Sequence, residues 1–208
     1  MAKVNIVNGF HNAVFEGLKI RATQMSENQR LCCLVFDEIA IKKRLTFQSN
    51  RDIVEGFETI ETTGVPCPAT HACVFMVKGL KEKWKQVIGY EFTHGTISVP
   101  NLKDLVLKCL CLLLDIGLHV KLIVCDQGSN NQSMYKKLGI SPQEPYFYVN
   151  EEKIFAMYDP PHLIKSVRNN LFASGYVVNG SIINAEFIKK LYEIDSKHHI
   201  QLAPKLTY

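Results

Sequence analysis

Hydrophobic residues recur along the chain with two spacings, one typical of helices and one typical of strands. Where apolar positions fall three or four residues apart, they define one face of a helix. These predicted helices cover residues 7–25, 100–116, 130–138, 160–172 and 182–197. Short apolar runs between polar turns predict strands instead. The predicted strands cover residues 31–41, 45–48, 53–57, 71–77, 86–92, 120–125, 146–149 and 154–158.

Glycine and proline mark several boundaries between these elements. Gly117, Gly139 and Gly175 each follow a predicted helix, where glycine readily adopts the backbone conformation that ends it. Pro160 and Pro161 open the fourth helix, because proline already has the backbone angle of a first helical turn.

The order of elements predicts the fold class. Several early antiparallel strands are followed by an alternation of helices and strands, which favours an α/β protein with a mixed sheet flanked by helices. This order resembles that of an RNase H-like fold, in which the first and fourth strands lie side by side. We expect residues 30–175 to form this domain and residues 1–29 to form a lead-in helix.

The composition indicates a globular intracellular protein. Of the 208 residues, 47% are hydrophobic and 21% are charged, which argues against a disordered chain. A net charge of +4 is compatible with a phosphate-bearing partner but does not identify one. The seven cysteines lie mostly in apolar segments and lack zinc-ligand spacing, which is typical of a reduced environment.

No segment predicts export or insertion into a membrane. The first eleven residues contain no apolar core of signal-peptide length. The longest apolar stretch, residues 105–116, is interrupted by Lys108 and Asp115 and is too short to span a bilayer. We therefore expect no membrane partner.

Two aspartates stand at the ends of apolar strands, where a charge has little to pack against. Asp126 follows residues 122–125 and precedes a Gly/Ser/Asn turn, and Asp37 follows residues 31–36. On neighbouring strands, two such carboxylates would repel each other unless a hard cation such as Mg²⁺ or Mn²⁺ neutralised them. Such ions promote phosphodiester chemistry. Taken singly, Asp37 could be an ordinary strand-end acid and Asp126 an Asx-turn residue that caps the next helix.

Three polar neighbours of these aspartates have other predicted roles. Glu38 is expected on the opposite face of the sheet, because side chains alternate along a strand, and it is not predicted to be a ligand. Asn130 and Asn131 are expected to start the next helix, where either could also touch a phosphate or a metal-bound water.

The sequence Asp159-Pro-Pro-His162 lies where the last strand passes into the fourth helix. A helix N-cap followed by proline explains Asp159 but not His162, which could face the acids or be a partly buried histidine. Lys165 and Arg168 on the same helix could contact a DNA backbone, although exposed helical cations are more often only solvated.

Six blocks of sequence, in the same order, resemble P-element transposases, which usually carry a THAP DNA-binding domain. The blocks are residues 34–42, 53–58, 71–76, 125–131, 158–165 and 202–207. The resemblance implies an RNase H-like catalytic domain in which two Asp and one Glu hold Mg²⁺. It also implies an activity that cuts DNA at transposon ends and joins it elsewhere, and hence a nuclear location.

The resemblance assigns roles to particular residues. Asp37 and Asp126 correspond to the first two acids, and Asp159 with His162 is similar to the D-x-x-H signature of cut-and-paste transposases. In the family a GTP-binding domain is inserted after the fourth helix, and the third acid lies beyond it. Residues 176–208 resemble the helical opening of that insertion, so GTP is expected as a cofactor only if the insertion were complete.

The chain departs from the family pattern because the THAP zinc finger, most of the insertion and the third acid are missing. The sequence therefore predicts a transposase core for metal-dependent DNA cleavage and strand transfer, incomplete in this chain. The alternative is a non-catalytic domesticated or decayed fragment that binds DNA or a partner protein, and self-association with a full-length transposase is conceivable. An unrelated nuclease of similar fold is a third reading.

Overall fold

The computed structural model describes residues 9–50, 52–60 and 65–206, and it divides the chain after Asp159 into two compact units. The helices of the first unit are α1 (Asn12–Gln24), α2 (Glu27–Arg30), α3 (Val99–Asp115) and α4 (Ser129–Lys137). Its strands are β1 (Gly9–Phe10), β2 (Leu31–Ala40), β3 (Thr46–Gln48), β4 (Ile53–Glu55), β5 (His71–Gly79), β6 (Lys85–Thr93), β7 (His119–Cys125), β8 (Tyr146–Val149) and β9 (Glu152–Tyr158).

The described strands include a seven-stranded sheet in the order β1-β6-β5-β2-β7-β9-β8. Strands β2, β5 and β6 are antiparallel neighbours, whereas β2 and β7 run parallel, as do β7 and β9. The prediction of a mixed α/β sheet is therefore confirmed. Parallel pairing of β2 with β7 also brings the carboxyl ends of these two strands to the same edge of the sheet.

Helices α1 and α3 pack against one face of this sheet. Leu34 on β2, Phe75 on β5 and Leu110 on α3 belong to one hydrophobic core and are completely buried. Burying a side chain of this size stabilises the fold by about 1.5–3 kcal/mol. Because side chains alternate along β2, Leu34 faces the helices, and Val35 and Asp37 belong to the opposite face.

The predicted helix at residues 7–25 is shorter in the structure. Helix α1 begins at Asn12, and the preceding Gly9 and Phe10 pair with β6 as strand β1. The φ angle of Gly9 is +97°, which an α-helix does not accommodate. Residues 7 and 8 lie outside the described part of the chain.

Two of the predicted strands do not join the main sheet. Among the described strands, β3 and β4 pair only with each other, as a separate two-stranded hairpin. Asp52, in the turn between them, has a φ of +54°, as a tight turn requires. Among the described helices, none is long and apolar enough to cross a membrane.

The second unit begins at Pro160 and contains a hairpin that the sequence analysis did not predict. Its elements are α5 (Pro160–Ala173), β10 (Tyr176–Val178), β11 (Ser181–Ile183) and α6 (Glu186–Asp195). The turn residues Asn179 and Gly180 both have positive φ, which is the pattern of an Asn-Gly hairpin. The prediction of a helix from residue 182 was therefore wrong at its start, because residues 181–183 belong to β11.

The end of α6 is anchored by a carboxylate. Asp195 accepts hydrogen bonds from the backbone N–H groups of Leu202 and Ala203, at 2.9 and 3.0 Å. These two bonds lower the pKa of Asp195, because they stabilise its charged form. The assignment of residues 176–208 to the opening of an inserted domain stays a prediction, as does the domain boundary at residue 175.

Candidate metal centre

The register of β2 and β7 places Asp37 and Asp126 at equivalent positions. Val35 pairs with Val124 in the parallel ladder, and each aspartate lies two residues beyond its member of this pair. By strand alternation, Asp37 lies on the same face of β2 as Val35, and Asp126 directly follows the last residue of β7. The sheet thus brings the two predicted ligands to neighbouring strands, with Asp37 inside β2 and Asp126 directly after β7.

The carboxylate of Asp126 is oriented by the turn that follows it. Its Oδ1 accepts hydrogen bonds from the backbone N–H of Gly128 at 2.8 Å and from Nδ2 of Asn131 at 2.6 Å. A Cβ at position 128 would lie 3.0 Å from this oxygen, so glycine allows the close turn. The Asx-turn alternative therefore describes the bonds of Oδ1, and it leaves Oδ2 for another ligand.

The carboxylate of Asp37 is exposed, and its Oδ1 accepts the backbone N–H of Glu38 at 2.8 Å. Within the described residues, neither Asp37 nor Asp126 forms an ion pair with a basic side chain. The two negative charges are therefore not neutralised by any described cationic group.

Glu38 lies closer to the aspartates than strand alternation alone indicates. Its Oε1 accepts hydrogen bonds from the N–H of Ile97 at 2.9 Å and from the Thr93 hydroxyl at 3.4 Å. The side chain thereby holds the segment that leads into α3, yet it also lines the same cavity as Asp37 and Asp126.

This cavity has a volume of about 330 Å³ and opens beside the two aspartates. Its other polar lining includes His71, whose Nδ1 lies 2.9 Å from the hydroxyl of Thr70. The sequence analysis missed His71, because only the pairing of β2 with β5 sets it opposite Ala40. Asn130 also lines the cavity and donates from Nδ2 to the Ile97 carbonyl at 2.7 Å, which ties α4 to the same segment.

The acids affect the thiols next to them. Burial raises the pKa of Cys73 to about 12, and the negative charges of Glu38 and Asp37 add to this effect. Burial likewise raises the pKa of Cys125 to about 12, with smaller contributions from Asp126 and Asp37. Both thiols are therefore protonated, and they are not hard oxygen donors.

The donor set fits part of a coordination sphere for Mg²⁺ or Mn²⁺. Hard divalent cations prefer carboxylate oxygens and retain several waters, and Asp37 with Asp126 offers two carboxylates. Among the described residues, no group of three His, Cys, Asp or Glu is placed to hold a metal ion. Among the described residues, the candidate ligands are thus two carboxylates without a third.

Asp159 directly follows β9, as Asp126 directly follows β7. Its backbone N–H donates to the carbonyl of Cys125 at 2.8 Å, which continues the parallel pairing of Cys125 with Tyr158. His162, Lys165 and Arg168 lie on α5, which belongs to the second unit. Lys165 and Arg168 are exposed, and the Arg168 guanidinium donates to Oδ1 of Asn169.

The mixed sheet and its covering helices form an RNase H-like α/β fold. A profile of the family described as "TNP-like, RNase H N-terminal domain" matches residues 6–139. The chain therefore belongs to this family, and its sheet domain is a P-element-type transposase RNase H-like region.

Two relatives illustrate the similarity. The "Transposable element P transposase" of Drosophila melanogaster is 30% identical over 186 residues, which make up 88% of this chain. A solved structure, the "Drosophila P element transposase strand transfer complex", superposes with a TM-score of 0.79 at 28% identity and covers 98% of this chain. The chain spans 23% of the length of the first relative and 43% of the second.

Proposed function

We propose that this chain contains part of a transposase catalytic core, in which Asp37 and Asp126 hold Mg²⁺ or Mn²⁺ for DNA cleavage and strand transfer. The observation that carries the proposal is the parallel register of β2 and β7, which aligns the two carboxylates. A bound metal would activate the attacking oxygen and stabilise the leaving oxygen. The chain contributes the orientation of Asp126, through the bonds from Gly128 and Asn131.

The proposed substrate is DNA at transposon ends, and the proposed location is the nucleus. The similarity to a protein described in a strand transfer complex supports a DNA substrate. The exposed cations Lys165 and Arg168 support contacts with the DNA backbone, because phosphate contacts supply much of the affinity for DNA. Asp159 and His162 are proposed to form the D-x-x-H signature that cut-and-paste transposases share.

A non-catalytic role is the second candidate, and one observation favours it. Two carboxylates without a third in the described residues hold a metal weakly, so the chain could bind DNA without cutting it. It could also associate with a full-length transposase that supplies the missing acid. Residues 176–208 are proposed to begin an inserted domain, and GTP would bind only if that domain were complete.

Metal titration tests the assignment of Asp37 and Asp126. Mg²⁺ should raise the melting temperature of the wild-type chain, because a ligand that binds only the folded state stabilises it. This shift should disappear in the double variant Asp37→Asn, Asp126→Asn. A matched control replaces Asp104 and Asp115, two exposed acids of α3, by Asn and should retain the shift. An unchanged shift in the Asp37/Asp126 variant would exclude the metal site.

Incubation with terminal-repeat DNA of a P-element distinguishes the two candidates. Cleavage that requires Mg²⁺ or Mn²⁺ and disappears in the Asp37/Asp126 variant would support the catalytic core. Binding without cleavage, with equal affinity in the variant, would support the non-catalytic role. Cleavage by the variant at the wild-type rate would contradict the proposed site.

A further inference from the structure

A histidine lines the same cavity as the two aspartates. His71 is the first residue of β5 and is half-buried, and it pairs with Ala40 on β2 and with Thr93 on β6. Cys73, two residues further along β5, belongs to the hydrophobic core, so strand alternation directs His71 to the same face of the sheet. The imidazole is therefore part of the cavity wall.

The hydrogen bonds of Thr70 determine the tautomer of His71. The hydroxyl oxygen of Thr70 accepts the backbone N–H of Gly95 at 2.7 Å, and the same oxygen lies 2.9 Å from Nδ1 of His71. A hydroxyl has one proton to donate, and Nδ1 is the acceptor that the structure describes for it. Because Nδ1 accepts this bond, the proton of the neutral ring is on Nε2.

Nε2 of His71 is thus an N–H donor that the described part of the protein leaves unused. None of the described residues accepts a hydrogen bond from this nitrogen, and it is accessible to solvent. The amides of the cavity wall are engaged instead, because Asn130 donates to the Ile97 carbonyl and Asn131 donates to Asp126. The Nε2–H group is therefore available to a ligand in the cavity.

The charge of the cavity wall indicates the kind of ligand that needs this donor. The described residues that line the cavity include three carboxylates, Asp37, Glu38 and Asp126, and neither lysine nor arginine. A DNA phosphate at this site would face these negative charges, which bound metal ions offset only in part. An N–H donor that contacts the phosphate is favourable, because hydrogen bonds to an ionised oxygen are the strong ones.

The position of His71 suits the DNA strand rather than the metal ion. Its partner Ala40 lies three residues beyond Asp37, which corresponds to roughly 10 Å along β2 at about 3.3 Å per residue. A ligand of Mg²⁺ lies about 2.0–2.1 Å from the ion. Among the described residues, no group of three His, Cys, Asp or Glu is placed to hold a metal ion, so His71 does not complete the metal site.

We propose that His71 donates a hydrogen bond from Nε2 to a phosphate oxygen of the DNA strand bound at Asp37 and Asp126. This inference rests on the proposed function and adds a residue that positions the substrate. Thr70 and Gly95 hold the imidazole in the tautomer that donates, through the bonds described above. The contacted phosphate is a neighbour of the one that is cut.

Fluorescence anisotropy with a labelled duplex of P-element terminal-repeat DNA, in the presence of Mg²⁺, tests the proposal. His71→Ala should weaken binding about tenfold or more, since a hydrogen bond to a charged group contributes about that factor. His71→Phe, which keeps a ring but has no donor, should show the same loss. His71→Gln keeps an N–H donor and should retain most of the affinity. The matched control His199→Ala changes an exposed histidine of the second unit and should have no effect.

A second measurement separates a phosphate contact from a purely structural role of His71. Single phosphates near the cleavage position are replaced one at a time by uncharged methylphosphonates. One replacement should weaken binding by the wild type and have a smaller effect in His71→Ala, because the two changes remove the same contact. A structural role would lower the affinity without this dependence on one phosphate.

Several results would overturn the proposal. They are absence of DNA binding by the wild type, unchanged affinity in His71→Ala and His71→Phe, an equal loss in His199→Ala, and methylphosphonate effects that are the same in wild type and variant. The Mg²⁺-dependent shift in melting temperature is measured without DNA and should persist in His71→Ala. Its loss there would make His71 a metal ligand instead, whereas its absence in the wild type would contradict the metal site itself.

Discussion

Replacement of Glu38 tests how the fold supports the candidate metal centre. Its carboxylate accepts the N–H of Ile97, a residue that is only 3% exposed, and the Thr93 hydroxyl. Ile97 lies in the segment between β6 and α3, and Thr93 is the last residue of β6. In a Glu38→Ala variant the Ile97 N–H loses its acceptor and remains buried.

The expected loss of stability in Glu38→Ala follows from this unpaired N–H donor. A buried polar group without a partner costs about 1–3 kcal/mol, so we expect Glu38→Ala to lower the free energy of unfolding by about 2 kcal/mol. For a chain of this size, that corresponds to a fall of roughly 4–8 °C in melting temperature. Glu38→Gln retains an amide oxygen as acceptor and should cost less than about 1 kcal/mol.

Urea unfolding followed by circular dichroism measures these differences. Glu16→Ala serves as the control, because Glu16 is exposed on α1 and such surface changes stay within about 0.5 kcal/mol. If Glu38→Ala were no more destabilising than this control, Glu38 would not anchor the segment. If Glu38→Gln were as destabilising as Glu38→Ala, the charge rather than the acceptor geometry would be responsible.

Three further changes test the core, the turn and the buried thiols. Leu110→Ala should lower the free energy of unfolding by about 2–5 kcal/mol, whereas Ile20→Ala, at a position 64% exposed, should change it by less than about 0.5 kcal/mol in the same urea assay. Asn131→Ala removes the 2.6 Å hydrogen bond to Asp126 and should lower the free energy of unfolding by about 1 kcal/mol. It should also weaken the melting-temperature shift caused by Mg²⁺, and an unchanged shift would contradict a role of Asn131 in positioning Asp126. Burial raises the pKa of Cys32 and Cys73 from 9.0 to about 12, so the unfolded chain loses these protons first and stability should fall as the pH rises from 9.0 toward 12. A Cys73→Ala variant should show a shallower fall in the urea midpoint over this range, and an equal slope would contradict the assignment.

Local sequence signals were sufficient where one segment determines its own conformation. The proline pair at 160–161 correctly predicted the start of α5, and the glycine at 117 lies directly after α3 and its C-cap. The same kind of signal was present but overlooked at Asn179-Gly180, where the turn residues alone would have predicted the hairpin. At the amino-terminal end, helical spacing was misleading, because Gly9 and Phe10 pair with β6.

The sequence by itself therefore determined the mixed α/β class, most of the succession of strands and helices, and the two aspartates that follow apolar runs. These features follow from periodicity, turn residues and charge next to apolar runs, which are all local. Only the tertiary structure decided which strands pair and in what register. It alone set His71 beside Ala40, tied Glu38 to Ile97, and paired Phe155 with Leu122. These contacts depend on long-range pairing, which no spacing within one segment encodes.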